Sequence, residues 1–105
     1  MRCPFEVYPS AWVFLSGYQT IPGPRTRSVP LSRLRAQQSC VTDAIVREYM
    51  GKSRLPAIRV AELPNGLFIL DGHHRATAAK KLGRVTMRAR VWQTKKRATQ
   101  PESAP

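Results

Sequence analysis

A chain of 105 residues has room for one small domain, and a hydrophobic fraction of 42% predicts an ordered but modest core. Eighteen Lys and Arg against six Asp and Glu leave a formal charge of +12, an excess that draws proteins toward nucleic acid, nucleotides or anionic membranes. No apolar run is long enough to cross a bilayer, and Ala11-Trp12-Val13-Phe14-Leu15 is too short and proline-flanked for a signal peptide, so a cytoplasmic protein without membrane association is expected.

Cys3 and Cys40 form no CxxC pair and no metal-ligand spacing, and two cysteines are too few for a secreted disulfide scaffold. Whether they pair with each other stays open. The charge is unevenly placed, because residues 71–92 hold six basic side chains against Asp71 alone.

Residues 1–27 mix Phe5, Tyr8, Trp12, Phe14 and Tyr18 with Pro4, Pro9, Pro22 and Pro24, which interrupt any long element. This reads as an N-terminal arm that either packs back on the domain or joins a second copy in a homodimer. The domain itself is expected over 28–93. Val29 to Leu34 reads as a short strand, with Pro30 confining it to a sheet edge or a strand start. Thr42 is a good N-cap, Val41 and Val46 are spaced as a hydrophobic staple, and Asp43 adds a favourable charge to the first turn. Ile45, Val46, Tyr49 and Met50 then share one helical face, and Gly51 is expected to close the helix in the left-handed conformation.

Ala57 to Leu63 alternates apolar and polar as a half-exposed strand does, and Pro64-Asn65-Gly66 supplies a tight hairpin turn. Leu67 to Leu70 should return antiparallel, with Phe68-Ile69-Leu70 covered on both faces. A second helix is expected from Gly72 to Leu82, closed by Gly83, with Ala76, Ala79 and Leu82 forming a face that lies close on a sheet. Val85 to Trp92 alternates as a last strand with Thr86, Arg88 and Arg90 on the wet side. The result is an α/β fold of β-α-β-β-α-β order, followed over 94–105 by a basic tail with nothing to bury.

The most informative stretch is Phe68-Ile69-Leu70-Asp71-Gly72-His73-His74-Arg75. A buried strand ends in a glycine turn that opens a helix, where unpaired N–H groups, the positive end of the helix dipole and a guanidinium fork converge to hold an anion. Gly72, His73, His74, Arg75 and Thr77 are the candidate phosphate ligands. Arg75 sits where the dipole disfavours a cation, which a bound anion would explain. His73 and His74 are adjacent, hence about 100° apart on a helix, and poorly placed to share a metal ion, so no metal site is predicted within the protein itself. They could instead donate to phosphate or move a proton, or one of them could merely cap or pack. Asp71 and His73 are the candidate catalytic groups, although the simplest role for Asp71 is the helix N-cap. Lys80, Lys81, Arg84, Arg88 and Arg90 are candidates for one basic face toward a nucleic acid backbone, against the alternative of a solvated surface.

The element order and the run Ile69-Leu70-Asp71-Gly72-His73-His74-Arg75-Ala76 resemble the ParB/sulfiredoxin superfamily over roughly residues 28–92. The resemblance implies a domain whose strand–helix turn binds the phosphates of a nucleoside di- or triphosphate, with Mg²⁺. ParB partition proteins look like Gly-Glu-Arg-Arg at this turn, of which Gly72 and Arg75 remain. Sulfiredoxin looks like Gly-Gly-Cys-His-Arg, and its cysteine falls on His73, so the thiol that reductase chemistry needs is missing. ParB-like kinases of free serine share Asp-Gly-His-His-Arg, yet the glutamate they use between first strand and first helix has no counterpart in 35–43. ParB-like nuclease-type proteins are similar in size and charge. The expectation is therefore a nucleotide- or phosphate-binding domain acting at DNA as an accessory or nuclease-like protein. Its alternatives are a small-molecule phosphotransferase and a non-catalytic anion-binding interaction module.

Overall fold

The computed structural model describes residues 1–8 and 16–97. Its strands are β1 (Glu6–Val7), β2 (Tyr18–Thr20), β3 (Arg25–Pro30), β4 (Leu34–Ala36), β5 (Ile58–Leu63), β6 (Gly66–Asp71) and β7 (Thr86–Lys96). A 3-10 turn covers Leu31–Arg33, and the helices are α1 (Asp43–Met50) and α2 (His73–Lys81). The strands form one sheet of order β1-β4-β6-β5-β7-β2, with β3 also paired to β7. This is a mixed α/β domain.

The middle of the chain folds as its pattern dictates. Asn65-Gly66 turns β5 back into β6 as an antiparallel hairpin with Leu63 opposite Gly66 and Ala61 opposite Phe68. Phe68 and Ile69 are fully buried. Ile58, Val60, Ile69, Met87, Ala89 and Val91 form the core side of the sheet, and Ala76 and Ala79 of α2 lie directly on it. Small side chains allow that close approach. Val41 and Val46 pack with Ala78 between the two helices, as a hydrophobic staple would. The opposite side of the sheet carries a smaller cluster of Ala61, Leu63 and Phe68, against which Tyr8, Tyr18 and Leu70 pack.

Four expectations are corrected. The strand expected over 29–34 is two strands separated by a 3-10 turn. Pro30 has no N–H with which to continue pairing, so the chain breaks away there and Leu31 donates instead to the Val85 carbonyl at 2.9 Å. The strand before Pro30 begins at Arg25, where an exposed polar run pairs with β7 and shows no apolar alternation. Gly51 is not left-handed: at φ −80° its N–H continues to bond the Arg47 and Glu48 carbonyls. The last strand runs on to Lys96 because β2 pairs with residues 94–96.

Residues 1–8 lie on the domain. Val7 pairs with Ala36 in parallel, Cys3 and Phe5 join the main core, and the Tyr8 ring meets Phe68 edge-on at 4.9 Å. Trp12, Phe14 and the tail from residue 98 lie outside the described residues. Since Phe5 is 7% exposed, Phe5→Ala is expected to lose about 3 kcal/mol of stability, read by urea denaturation. An unchanged midpoint would mean that this segment lies loosely on the core. No helix among the described residues is long and apolar enough to cross a membrane.

Candidate functional site

β6 ends at Asp71, and the chain reaches α2 through Gly72, which adopts the left-handed conformation at φ 113°. Two constraints demand glycine. An L side chain is strained at that φ, and an added Cβ would lie 2.4 Å from Ile58 Cγ2 and 2.8 Å from Ile58 Cβ. Gly72 is thus the N-cap and offers no side chain to it, so the expected N-cap role of Asp71 is corrected. The strand keeps Asp71, and its carboxylate accepts from Arg75 Nη2 at 3.0 Å. Arg75 Nη1 donates to the Ala57 carbonyl at 2.9 Å. Held between β5's start and β6's end, the guanidinium is 16% exposed and keeps further N–H donors for a ligand.

The first intrahelical bond of α2 runs from Ala76 N–H to the Gly72 carbonyl at 2.9 Å. The N–H groups of His73, His74 and Arg75 therefore have no helical partner, and the positive end of the dipole coincides with them.

The two histidines have a role that the sequence did not reveal. His73 Nε2 accepts from the Gln37 backbone N–H at 2.9 Å, and His74 Nε2 accepts from the Thr42 backbone N–H at 3.0 Å. For His73, burial and the bond at Nε2 together favour the neutral imidazole with its proton on Nδ1. Together the two histidines tie both ends of the loop between β4 and α1 to the first turn of α2. The Gln37 side chain completes the tie by donating to the Ile69 carbonyl at 2.9 Å. Thr42 is the N-cap of α1 without a side-chain cap bond, which corrects the expected capping, and its backbone N–H is the group that bonds His74.

Burial lowers the His73 pKa to about 4, with the neighbouring His74 charge adding to the effect and Asp71 opposing it. An imidazole that is 7% exposed and occupied at Nε2 anchors the loop to the first turn of α2. Thr77 is fully buried, and its hydroxyl donates to the His73 carbonyl at 2.8 Å. It faces neither water nor the cleft, since one helical turn carries it from the mouth of the site into the core.

Asp71, Gly72, His73, His74 and Arg75 line one cleft of about 790 Å³. Its other wall is Gln37 and Gln38 of the tied loop and Ile45 and Tyr49 of α1, with Leu70 beneath. The cleft thus has a polar end at the helix N-terminus and an apolar, partly aromatic end. Ile45 and Tyr49 show in the sequence only as part of α1's apolar face, and nothing in their spacing marks them as lining a site. Among the described residues Asp71 is the one carboxylate in this lining, while Asp43 is paired with the amino group of Met1 at 3.2 Å. No thiol lines the cleft: Cys3 is buried, with burial raising its pKa, and Cys40 is exposed, both unpaired.

The basic residues expected to form one face are divided. Lys80 and Lys81 are on the helical side, with Lys80 Nζ 5.4 Å above the Phe5 ring. Arg88 and Arg90 alternate with the core residues Met87, Ala89 and Val91, so they point from the opposite side of the sheet. Arg84 lies in the connection between α2 and β7 and lines a cavity together with Met87 and Arg88.

No family model and no curated protein matches this sequence. Solved structures do. Sulfiredoxin from Arabidopsis thaliana superposes with a TM-score of 0.56 at 24% identity, covering 77% of this chain and 93% of that one. The fold is ParB/sulfiredoxin-like. The C-terminally truncated chromosome-partitioning protein ParB from Caulobacter crescentus, complexed with CTP-gamma-S, gives a TM-score of 0.52 at 20% identity over 64% of this chain and 43% of that one. A conserved hypothetical protein from Pyrococcus furiosus gives 0.58 at 14% over 80% of this chain and 34% of that one. At such identities the likeness establishes the ParB/sulfiredoxin-like fold alone. Within that fold, the cleft lies where the end of β6 meets the start of α2.

Proposed function

We propose that this chain binds a nucleotide through its phosphates in the Asp71–Arg75 cleft and works at DNA as an accessory or nuclease-like protein of the ParB-like kind. The observation that carries this reading is the convergence of three free helix N–H groups and a positioned Arg75 guanidinium at one end of the cleft. Phosphate oxygens fit that end, and Ile45 and Tyr49 offer an apolar surface to the organic part of the ligand. The similar ParB structure complexed with CTP-gamma-S supports a nucleotide as the phosphate bearer, and the +12 charge supports DNA as the place of action.

Asp71 is the lining carboxylate that would meet a Mg²⁺ ion carried by the phosphates, where the ion would neutralise their charge. The chain's own contribution is to orient: Gly72 brings the backbone close, Arg75 anchors, and His73 and His74 keep the loop carrying Gln37 and Gln38 against the site. Phosphotransfer has less support than binding, because Asp71 already accepts from Arg75 and no second carboxylate among the described residues lines the cleft.

Calorimetric titration with CTP, ATP, ADP and a short DNA duplex, with and without Mg²⁺, tests the reading. Nucleotide binding should weaken by about 10- to 100-fold in Arg75→Ala, the loss of one charge-assisted partner. Far-UV circular dichroism of the variant separates lost binding from lost fold. If no phosphate ligand binds, or if the folded variant binds equally well, the reading is wrong. Binding without turnover or DNA affinity would leave the anion-binding interaction module.

A further inference from the structure

A second cavity, of about 520 Å³, is lined by Arg54, Arg84 and Arg88 with Ser53, Leu55, Pro56 and Met87. Among the described residues its guanidiniums, like those of Arg25 and Arg59 in the sheet, have no carboxylate partner, whereas three other arginines do. Arg27 is held by Glu62, Arg35 by Glu6 and Arg75 by Asp71, each within 3.2 Å. Among the described residues, Arg54, Arg84 and Arg88 have no ion-pair, side-chain hydrogen-bond or ring partner, and no carboxylate lines the cavity. Three like charges around one space repel unless a counter-charge sits among them.

Their placement is built rather than incidental. Gly83, at φ 78°, reverses the chain after α2, and Arg84 N–H returns to the Ala79 carbonyl at 3.1 Å, which fixes where Arg84 leaves the helix. Arg88 is fixed by β7, opposite Ser28 of β3. The cations do not stop at the cavity. Arg90 follows on the same side of β7, about 7 Å further along the strand, opposite Thr26 of β3 and Arg59 of β5. Its guanidinium lies 5.5 Å above the Trp92 ring. A row of cations ending on an aromatic ring suits a polymer of phosphates better than one small anion.

We infer that the Arg54–Arg84–Arg88 cavity seats a backbone phosphate of a DNA strand, which continues along β7 past Arg90 and Trp92. This rests on the proposal that the chain works at DNA, and it locates the strand at a site separate from the nucleotide cleft. Arg54 is the residue it adds, from a loop distant in sequence from the other two.

Fluorescence anisotropy with a short labelled single strand and its duplex, over a series of salt concentrations, tests it on the full chain. Arg54→Ala/Arg84→Ala/Arg88→Ala should weaken binding about tenfold or more and reduce the log–log salt slope by about 1 to 3 units. Arg47→Ala/Lys80→Ala/Lys81→Ala removes the same charge on the helical side, away from β7, and should change both by less. Circular dichroism melting of both triple variants shows that they are folded. Equal losses in the two variants overturn the cavity as a DNA site while the DNA reading stands. No DNA binding by the wild-type chain overturns both, and leaves nucleotide binding to its own calorimetric test.

Discussion

Gly72→Ala is expected to lose about 4 kcal/mol of folding stability, a large share of what a domain of this size possesses. Two independent costs combine. A non-glycine residue at φ 113° carries backbone strain, and its Cβ would be driven against Ile58 Cγ2 at 2.4 Å. Ile58 cannot swing aside easily, because it is fully buried in the main core and its strand pairs with both β6 and β7. The new Cβ would also approach Arg75 Nη2 to 3.1 Å, so the guanidinium would leave the position set by Asp71 and the Ala57 carbonyl. Urea denaturation gives the stability, and titration of the fraction that remains folded gives nucleotide affinity. A loss below about 1 kcal/mol would show that the turn has room the geometry denies it.

Acid should unfold the protein through His73. Its folded pKa of about 4 is below the unfolded value of about 6.5, so as pH falls the unfolded chain takes up this proton first. The contribution is therefore fully present above about pH 6.5 and is lost progressively down to about pH 4, reaching about 3 kcal/mol in all. The cause is burial, reinforced structurally by the Gln37 N–H, which needs an unprotonated Nε2 to bond. His73→Gln keeps an acceptor near that N–H but does not titrate. Its stability should decline distinctly less than the wild type's between pH 7 and pH 4 when both are measured by chemical denaturation. Parallel declines would assign the acid sensitivity to other groups.

Much of the architecture around the turn was legible because its signals are local. Asn65-Gly66 names its own hairpin, Gly72 and Gly83 bracket α2, and the alanines announce a helix lying close on a sheet. What escaped was edge structure and distant pairing. Arg25-Thr26-Arg27-Ser28 forms most of β3 while remaining exposed, so no burial pattern marks it as a strand. The histidine bonds cross 36 and 32 residues of chain, from side chain to backbone, and leave no periodic trace in sequence. Likewise, counting positive charge could not separate Lys80 on the helical side from Arg88 on the sheet's other side; only strand alternation and packing do that. The anion-binding character of residues 72–75 was readable from the turn itself, whereas the opposite wall, from Gln37 to Tyr49, required the tertiary fold.

The ties from His73 and His74 to Gln37 and Thr42 also make the cleft observable. Each ring nitrogen accepts one particular backbone proton, so the amide resonances of Gln37 and Thr42 are direct spectroscopic reporters of loop attachment. Solvent exchange at those two amides measures how often the loop lifts from α2, and their shifts during a titration reveal whether a ligand enters beneath a closed loop or has to part it first.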